Sequence, residues 1–251
     1  MSVLARLWDH VYASQPAPPA WLVAVTGLAA LLIVLNTASW RLAGQVITIA
    51  HEGGHALVSV LSGRRLEGIR LHADNSGVTY SRGKRHGPGL VLTAAAGYLT
   101  PPLLGAGAAA LLAARHPAAL LWLALVLLAA TFLAVRNAFG ALAVLVTAAG
   151  VFAVSYFASA AVQAGFAYLA AWFLLLGGMR PALDLTRRQS SRRRSSSRAG
   201  GRASNRGSIR AGLSDADQLA RLTGVSRGVW VTAFLLVATA ALALGIRLLI
   251  P

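Results

Sequence analysis

The sequence predicts an all-α polytopic membrane bundle of six to seven transmembrane helices, with a short β-hairpin-like loop after one of them. Composition gives the first reason: 57% of the 251 residues are hydrophobic and only 12% are charged, about half the charged fraction of a soluble domain. The second reason is that several windows contain the roughly 20 apolar residues that a helix needs to cross a bilayer.

Seven candidate spans follow from these apolar windows. They are residues 21–40, 45–62, 89–113, 118–135, 140–160, 165–179 and 228–249. Pro101 and Pro102 lie inside the third span, where we expect a kink or a break because proline has no backbone N–H to donate.

The polar loop at residues 63–88 separates the second and third spans. Two short β-like runs, residues 68–72 and 78–80, flank an Asp-Asn-Ser-Gly turn signal at residues 74–77. Strand-like runs around such a turn are typical of a β-hairpin, so we expect a hairpin or an irregular loop there.

The positions of the basic residues predict the orientation in the membrane. Residues 63–88, Arg136 and residues 180–227 carry most of the arginine and lysine, whereas the alternate loops at 41–44, 115–116 and 161–164 carry little. Cytoplasmic loops are enriched in these residues. Seven alternating spans then predict a cytoplasmic amino terminus and a carboxyl terminus on the opposite side.

Composition divides the chain into three parts. Residues 1–186 form the predicted membrane domain, residues 187–212 are rich in arginine and serine, and residues 213–251 hold a short amphipathic segment and the last span. The middle part has too few apolar residues to fold, so we expect a disordered cytoplasmic linker. Each basic residue near anionic lipid headgroups contributes ~1 kcal/mol, which favours a lipid tether. Nucleic acid is disfavoured as a partner because no aromatic residues for base stacking interleave with the arginines.

One motif carries chemistry, and it lies inside the second span. Residues 51–55 read His-Glu-Gly-Gly-His, and Glu52 is the only acidic residue in any predicted span. Side chains four residues apart share one helix face, so His51 and His55 can bind a single Zn²⁺. Glu52 is then placed to act as the general base of a metalloprotease. An ionisable group inside a membrane helix costs about 2.5–3.5 kcal/mol on insertion scales, which indicates a functional site.

The residues around this motif resemble the site-2 protease class of intramembrane metalloproteases, and its M50B-like bacterial branch in particular. The resemblance is carried by the segments at residues 47–80, 94–105, 136–140 and 214–224. It implies a zinc-dependent endopeptidase of a bacterial cytoplasmic membrane that cleaves a membrane protein substrate in or near a transmembrane segment. It also implies a membrane-associated β-hairpin after the motif helix.

The resemblance leaves the third zinc ligand open. Better-known members of the class supply an Asp from an LDG-type motif in a later span, and no predicted span here contains one. The candidates are Asp184, Asp215 and Asp217, of which we favour Asp215. Ser214 followed by two Asp residues is an equally ordinary helix start.

Three other polar residues complete the candidates. Asn137 resembles the asparagine that orients substrate in this class, or it caps the fifth span. His72 and His86 are expected to be solvated loop residues.

Two alternative functions remain at this level. One is a catalytically inactive membrane scaffold of the same family, which a missing third ligand would indicate. The other is a metal-handling transporter, a class in which further polar residues and internal repeats are expected among the spans.

Overall fold

The computed structural model describes residues 14–187 and 214–250. The helices in this part of the chain are α1 (Ala20–Leu35), α2 (Thr37–Leu61), α3 (Pro88–Ala113), α4 (Pro117–Ala134), α5 (Ala138–Phe157), α6 (Ala160–Gly177), α7 (Asp215–Thr223) and α8 (Arg227–Leu249). Strands β1 (Arg65–Leu71) and β2 (Gly77–Arg82) form an antiparallel hairpin. Residues 180–187 continue α6 as a further helical segment. Apart from residue 187, the predicted disordered linker lies outside the described residues.

The predicted fold class is confirmed. Among the described helices, five are long and apolar enough to cross a membrane, and α1 and α2 together make a sixth if they count as one bent span. The hairpin follows α2, as expected. Helix α3 runs through Pro101 and Pro102 without interruption, so the chain does not break there.

The bend between α1 and α2 is the main departure from the predicted layout. The two helices meet at Asn36 at an angle of 102°. The Asn36 side chain caps α2 by accepting hydrogen bonds from the amides of the next turn. Arg180 donates to the carbonyl of Val34, and its guanidinium lies 4.4 Å from the centre of the Trp40 ring. Residues 41–44 therefore lie within α2, and the loop predicted there is absent.

Both described ends of the chain lie at the same end of the bundle, as expected for six spans if α1 and α2 count as one bent span. The backbone N–H of Gln15 donates to the carbonyl of Arg115 at 2.9 Å. Residues 15–18 also line a cavity together with Pro117, Leu248 and Leu249. The two described ends therefore lie together, whereas seven alternating spans predict them on opposite sides; the side of the membrane on which the amino terminus lies remains a prediction.

The hairpin packs along α2 at the opposite end of the bundle. At its turn, Asn75 donates from its side chain to the carbonyl of Trp40, and Thr48 donates to the carbonyl of Asn75. The outer edge of β1 is covered by residues 135–137: Arg136 N–H donates to the carbonyl of Ile69, and the amide of Asn137 pairs with the backbone of Leu71. These contacts fix the hairpin against both α2 and the junction of α4 and α5.

Two apolar clusters hold the helices together. The larger one joins α1, α2, α4 and α6 with parts of the remaining bundle. The smaller one packs α7 against α3, α8 and the segment at residues 180–187. Its buried members are Ala94, Ala95, Ala182, Leu185, Ala216, Leu219, Val231 and Phe234. This second cluster holds the short helix α7 against α3 and α8.

Candidate metal centre

Two imidazoles of α2 converge on one point opposite α3. His51 and His55 lie one helical turn apart, and their Nε2 atoms are 3.2 Å from each other. Gly97 of α3 faces them: a Cβ added there would lie 2.5 Å from His51 Nε2 and even closer to His55 Nε2. The absence of a side chain at Gly97 therefore leaves room for both rings.

Asp215 of α7 completes the cluster. Its Oδ2 atom lies 3.1 Å from His51 Nε2 and 3.2 Å from His55 Nε2. Burial alone would raise the pKa of Asp215, but hydrogen bonds with His51 and His55 outweigh it and hold that pKa well below its usual range. A lowered pKa favours the ionised carboxylate, which is the form that binds a metal.

The three donor atoms fit a zinc ion. Ligands at about 2.0–2.1 Å from a tetrahedral metal are separated from one another by roughly 3.3 Å, and the three separations here are 3.1 to 3.2 Å. Two imidazole nitrogens and one carboxylate are also a donor set of catalytic zinc sites, in which the fourth position stays open for water or substrate. That these residues bind zinc remains a prediction.

The orientation of His55 is fixed by a second contact. Its Nδ1 atom lies 2.6 Å from the carbonyl oxygen of Thr93 in α3. A backbone carbonyl can only accept, so Nδ1 carries a proton, and Nε2 is the ring nitrogen that remains for a metal once its own proton is released. This is the tautomer that a metal ligand requires.

Glu52 lies beside the cluster and faces the hairpin. The residue is 4% exposed, and Oε2 accepts a hydrogen bond of 2.6 Å from the hydroxyl of Thr79 in β2. Gly77 lies close by, since a Cβ there would be 2.6 Å from Glu52 Cγ. The hairpin thus supplies the partner that orients the candidate base.

The other candidate ligands lie outside the cluster. Asp217 turns away from the cluster, where it forms a capping box with Ser214 and an ion pair with Arg227. Asp184 pairs with Arg187, and His72 and His86 are exposed in or next to the hairpin, as predicted. Asp215 is thus both the first residue of a capped helix and a member of the cluster, so the two alternatives for this residue are compatible.

Asn137 occupies the position before α5, but its side chain does not cap that helix. Its Nδ2 donates to the carbonyl of Leu71 at 2.8 Å, and its Oδ1 accepts from the Leu71 amide at 3.1 Å. Its described contacts therefore hold β1 in place. A role in orienting substrate remains a prediction.

Sequence reasoning missed Thr79, Thr93 and Gly97 as parts of the site. The first two are isolated threonines without a motif, and their contacts depend on the docking of the hairpin and of α3. Gly97 carried a signal, because it is the one glycine in the run of small residues at 94–97.

The profile of the Peptidase M50B-like family matches residues 24–245, which include every residue of the cluster. The chain belongs to the Peptidase M50B-like family. No curated protein and no solved structure matches the chain significantly. Membership in this M50B-like family, together with the apolar helices, identifies an integral membrane protein with the fold of a metalloprotease family.

Proposed function

We propose that this M50B-like protein is an intramembrane zinc endopeptidase that hydrolyses a peptide bond in or near a transmembrane segment of a substrate protein. The observation that carries the proposal is the convergence of His51 Nε2, His55 Nε2 and Asp215 Oδ2 next to a buried Glu52. An inactive scaffold has no need to keep three ligands and a base together. The presence of a third ligand candidate in place therefore favours the enzyme.

The residues divide the chemistry among them. His51, His55 and Asp215 would hold the zinc ion, which supplies Lewis acidity for activating water and a peptide carbonyl. Glu52 accepts a proton from the attacking water and delivers it to the leaving amine as the peptide bond breaks. Thr79 holds one carboxylate oxygen of Glu52 during these transfers.

The hairpin suggests how the substrate is presented. Among the described residues β2 pairs only with β1, while the outer edge of β1 is covered by residues 135–137. A membrane helix hides its carbonyls in internal hydrogen bonds, so the substrate must unwind before attack. An extended segment pairing with the open edge of β2 would have its backbone hydrogen bonds satisfied next to Glu52.

The basic end of the bundle gives the proposed orientation. Residues 63–88, Arg136 and residues 180–187 carry most of the described basic residues, which favours a cytoplasmic position for this end of the bundle. The cluster would then be reached from the cytoplasmic side of a bacterial cytoplasmic membrane. The arginine-rich linker is proposed to bind anionic lipid headgroups on the same side.

The test uses zinc content and cleavage together. Detergent-purified wild type is expected to hold about one zinc ion per chain, and His55→Ala is expected to lose it. Glu52→Gln should keep the zinc and lose at least about 100-fold in turnover, because a positioned base contributes roughly 10²–10⁴-fold. Cleavage is followed with a set of single-span membrane proteins tagged at both ends.

The outcomes separate the competing functions. Zinc without cleavage of any tagged protein by the wild type would favour the inactive scaffold. Cleavage that persists in Glu52→Gln would rule out the proposed base. Zinc that accumulates in vesicles independently of Glu52 would support the metal-handling alternative.

A further inference from the structure

The third ligand lies on an element with little intrinsic stability. Helix α7 has nine residues, too few for a helix to persist alone in water. Asp215 is its first residue, and only Ser214 is described on its amino-terminal side. The position of Asp215 at the cluster therefore depends on the side chains that fix α7 to the bundle.

The first turn of α7 is fixed by a polar network centred on Asp217. Its Oδ2 accepts hydrogen bonds from the backbone N–H and the hydroxyl of Ser214. Its Oδ1 lies 3.3 Å from Nε of Arg227, the first residue of α8. Arg227 also donates to the carbonyl of Leu185 at 3.4 Å. One guanidinium thus joins residues 180–187, the first turn of α7 and the start of α8.

The geometry separates the roles of the two neighbouring aspartates. Side chains two residues apart on a helix do not share a face, so Asp217 points away from the histidines when Asp215 points toward them. The side chains of Arg227 and Asp217 are 18% and 29% exposed. This low exposure limits the hydrogen bonds to water that could replace their ion pair. The apolar contacts of Ala216 and Leu219 determine how closely α7 packs against the bundle. The ion pair opposes rotation of the first turn of α7.

We propose that Arg227 and Asp217 are positioning residues that fix α7 in the register at which Asp215 reaches the metal. This inference rests on the proposed zinc site and names the residues that hold its third ligand in position. Partners that orient metal ligands are each worth about 10–100-fold in metal affinity. Loss of the ion pair is expected to weaken zinc binding by about 10-fold or more.

The experiment measures zinc affinity by chelator competition in the full-length protein in detergent. The variants are Arg227→Met, Asp217→Asn and Asp215→Ala. Arg82→Met is the matched control, because Arg82 also pairs with a carboxylate, Glu67, but on the exposed hairpin. We expect weaker zinc binding in the first three variants and the wild-type affinity in the control.

A double-mutant cycle separates positioning from general destabilisation. Because Arg227 acts through Asp215, Arg227→Met should have no further effect on zinc affinity in the Asp215→Ala background. An equal loss in both backgrounds, or wild-type affinity in Arg227→Met, would overturn the proposal. If Arg227→Met does not fold, Asp217→Asn decides by the same criteria. A wild type that binds no zinc would instead refute the proposed function.

Discussion

At the scale of single residues, the contact between Thr79 and Glu52 gives a sharp prediction. Thr79→Val keeps the shape of the side chain but removes the donor to Glu52, so the base loses its orientation. Turnover should fall about 10-fold while the zinc content stays at the wild-type value. Thr79→Ser retains the hydroxyl and should restore most of the turnover. A valine variant as active as wild type would show that the hydrogen bond is dispensable.

Gly97 gives a second prediction at this scale. A methyl group there would overlap both imidazoles, since its carbon would lie 2.6 Å from His51 Cε1. Gly97→Ala should therefore lower zinc affinity by about 100-fold, in the upper range for disturbed ligands. Gly107 of the same helix has nothing within 4 Å of an added Cβ. Gly107→Ala should bind zinc normally, and equal zinc affinity in both variants would contradict the assigned role of Gly97.

At the scale of elements, the hairpin depends on its turn for its position along α2. Asn75 has a φ of 61°, a left-handed conformation that costs most residues about 1–2 kcal/mol and asparagine less. Its side chain also donates to the carbonyl of Trp40 at 3.1 Å. Asn75→Ala loses both advantages, so the free energy of opening the hairpin should fall by about 2 kcal/mol.

Hydrogen exchange of the β1 and β2 amides measures this change. Asn75→Gly keeps access to the left-handed conformation and loses only the hydrogen bond, so its exchange should be faster than wild type and slower than Asn75→Ala. Wild-type exchange in the alanine variant would mean that the turn does not anchor the hairpin. Because Thr79 lies on β2, a loosened hairpin should also reduce turnover.

At the scale of the whole molecule, the topology can be tested by chemical labelling. The chain contains no cysteine, so single cysteines can be introduced without background. Ala17→Cys, Ala114→Cys and Ile250→Cys are expected to react with an impermeant thiol reagent from one side of the membrane. Lys84→Cys, on the loop after the hairpin, should react from the other side. If Ala17→Cys and Lys84→Cys instead react from the same side of the membrane, the seven-span layout is correct.

Much of the fold was predictable because local patterns determine it. Apolar windows located α3, α4, α5, α6 and α8 to within a few residues, since any helix of that length and composition is driven into the bilayer. Helix geometry alone predicts that His51 and His55 share one face of α2 and that Glu52 lies next to them. The turn signal at residues 74–77 and the strand-like runs beside it predicted a hairpin or an irregular loop, and the structure has the hairpin of β1 and β2.

The departures arise where distant residues decide the outcome. The α1–α2 bend is stabilised by Arg180, which lies 146 residues from its acceptor Val34. A hydropathy profile describes only local sequence and cannot predict such a contact. Thr79 and Gly97 belong to the site only because the hairpin and α3 dock on opposite flanks of α2.

Local sequence patterns were enough to specify a membrane bundle with a pair of histidines and a candidate base on one helix, because periodicity and hydrophobicity act over a few turns. Tertiary structure decided the rest of the site. Asp215 is separated from His51 by 164 residues, and it reaches the histidines only because a second apolar cluster and the ion pair between Asp217 and Arg227 hold α7 in place. Contacts of that separation depend on the packing of whole elements, which no local pattern encodes.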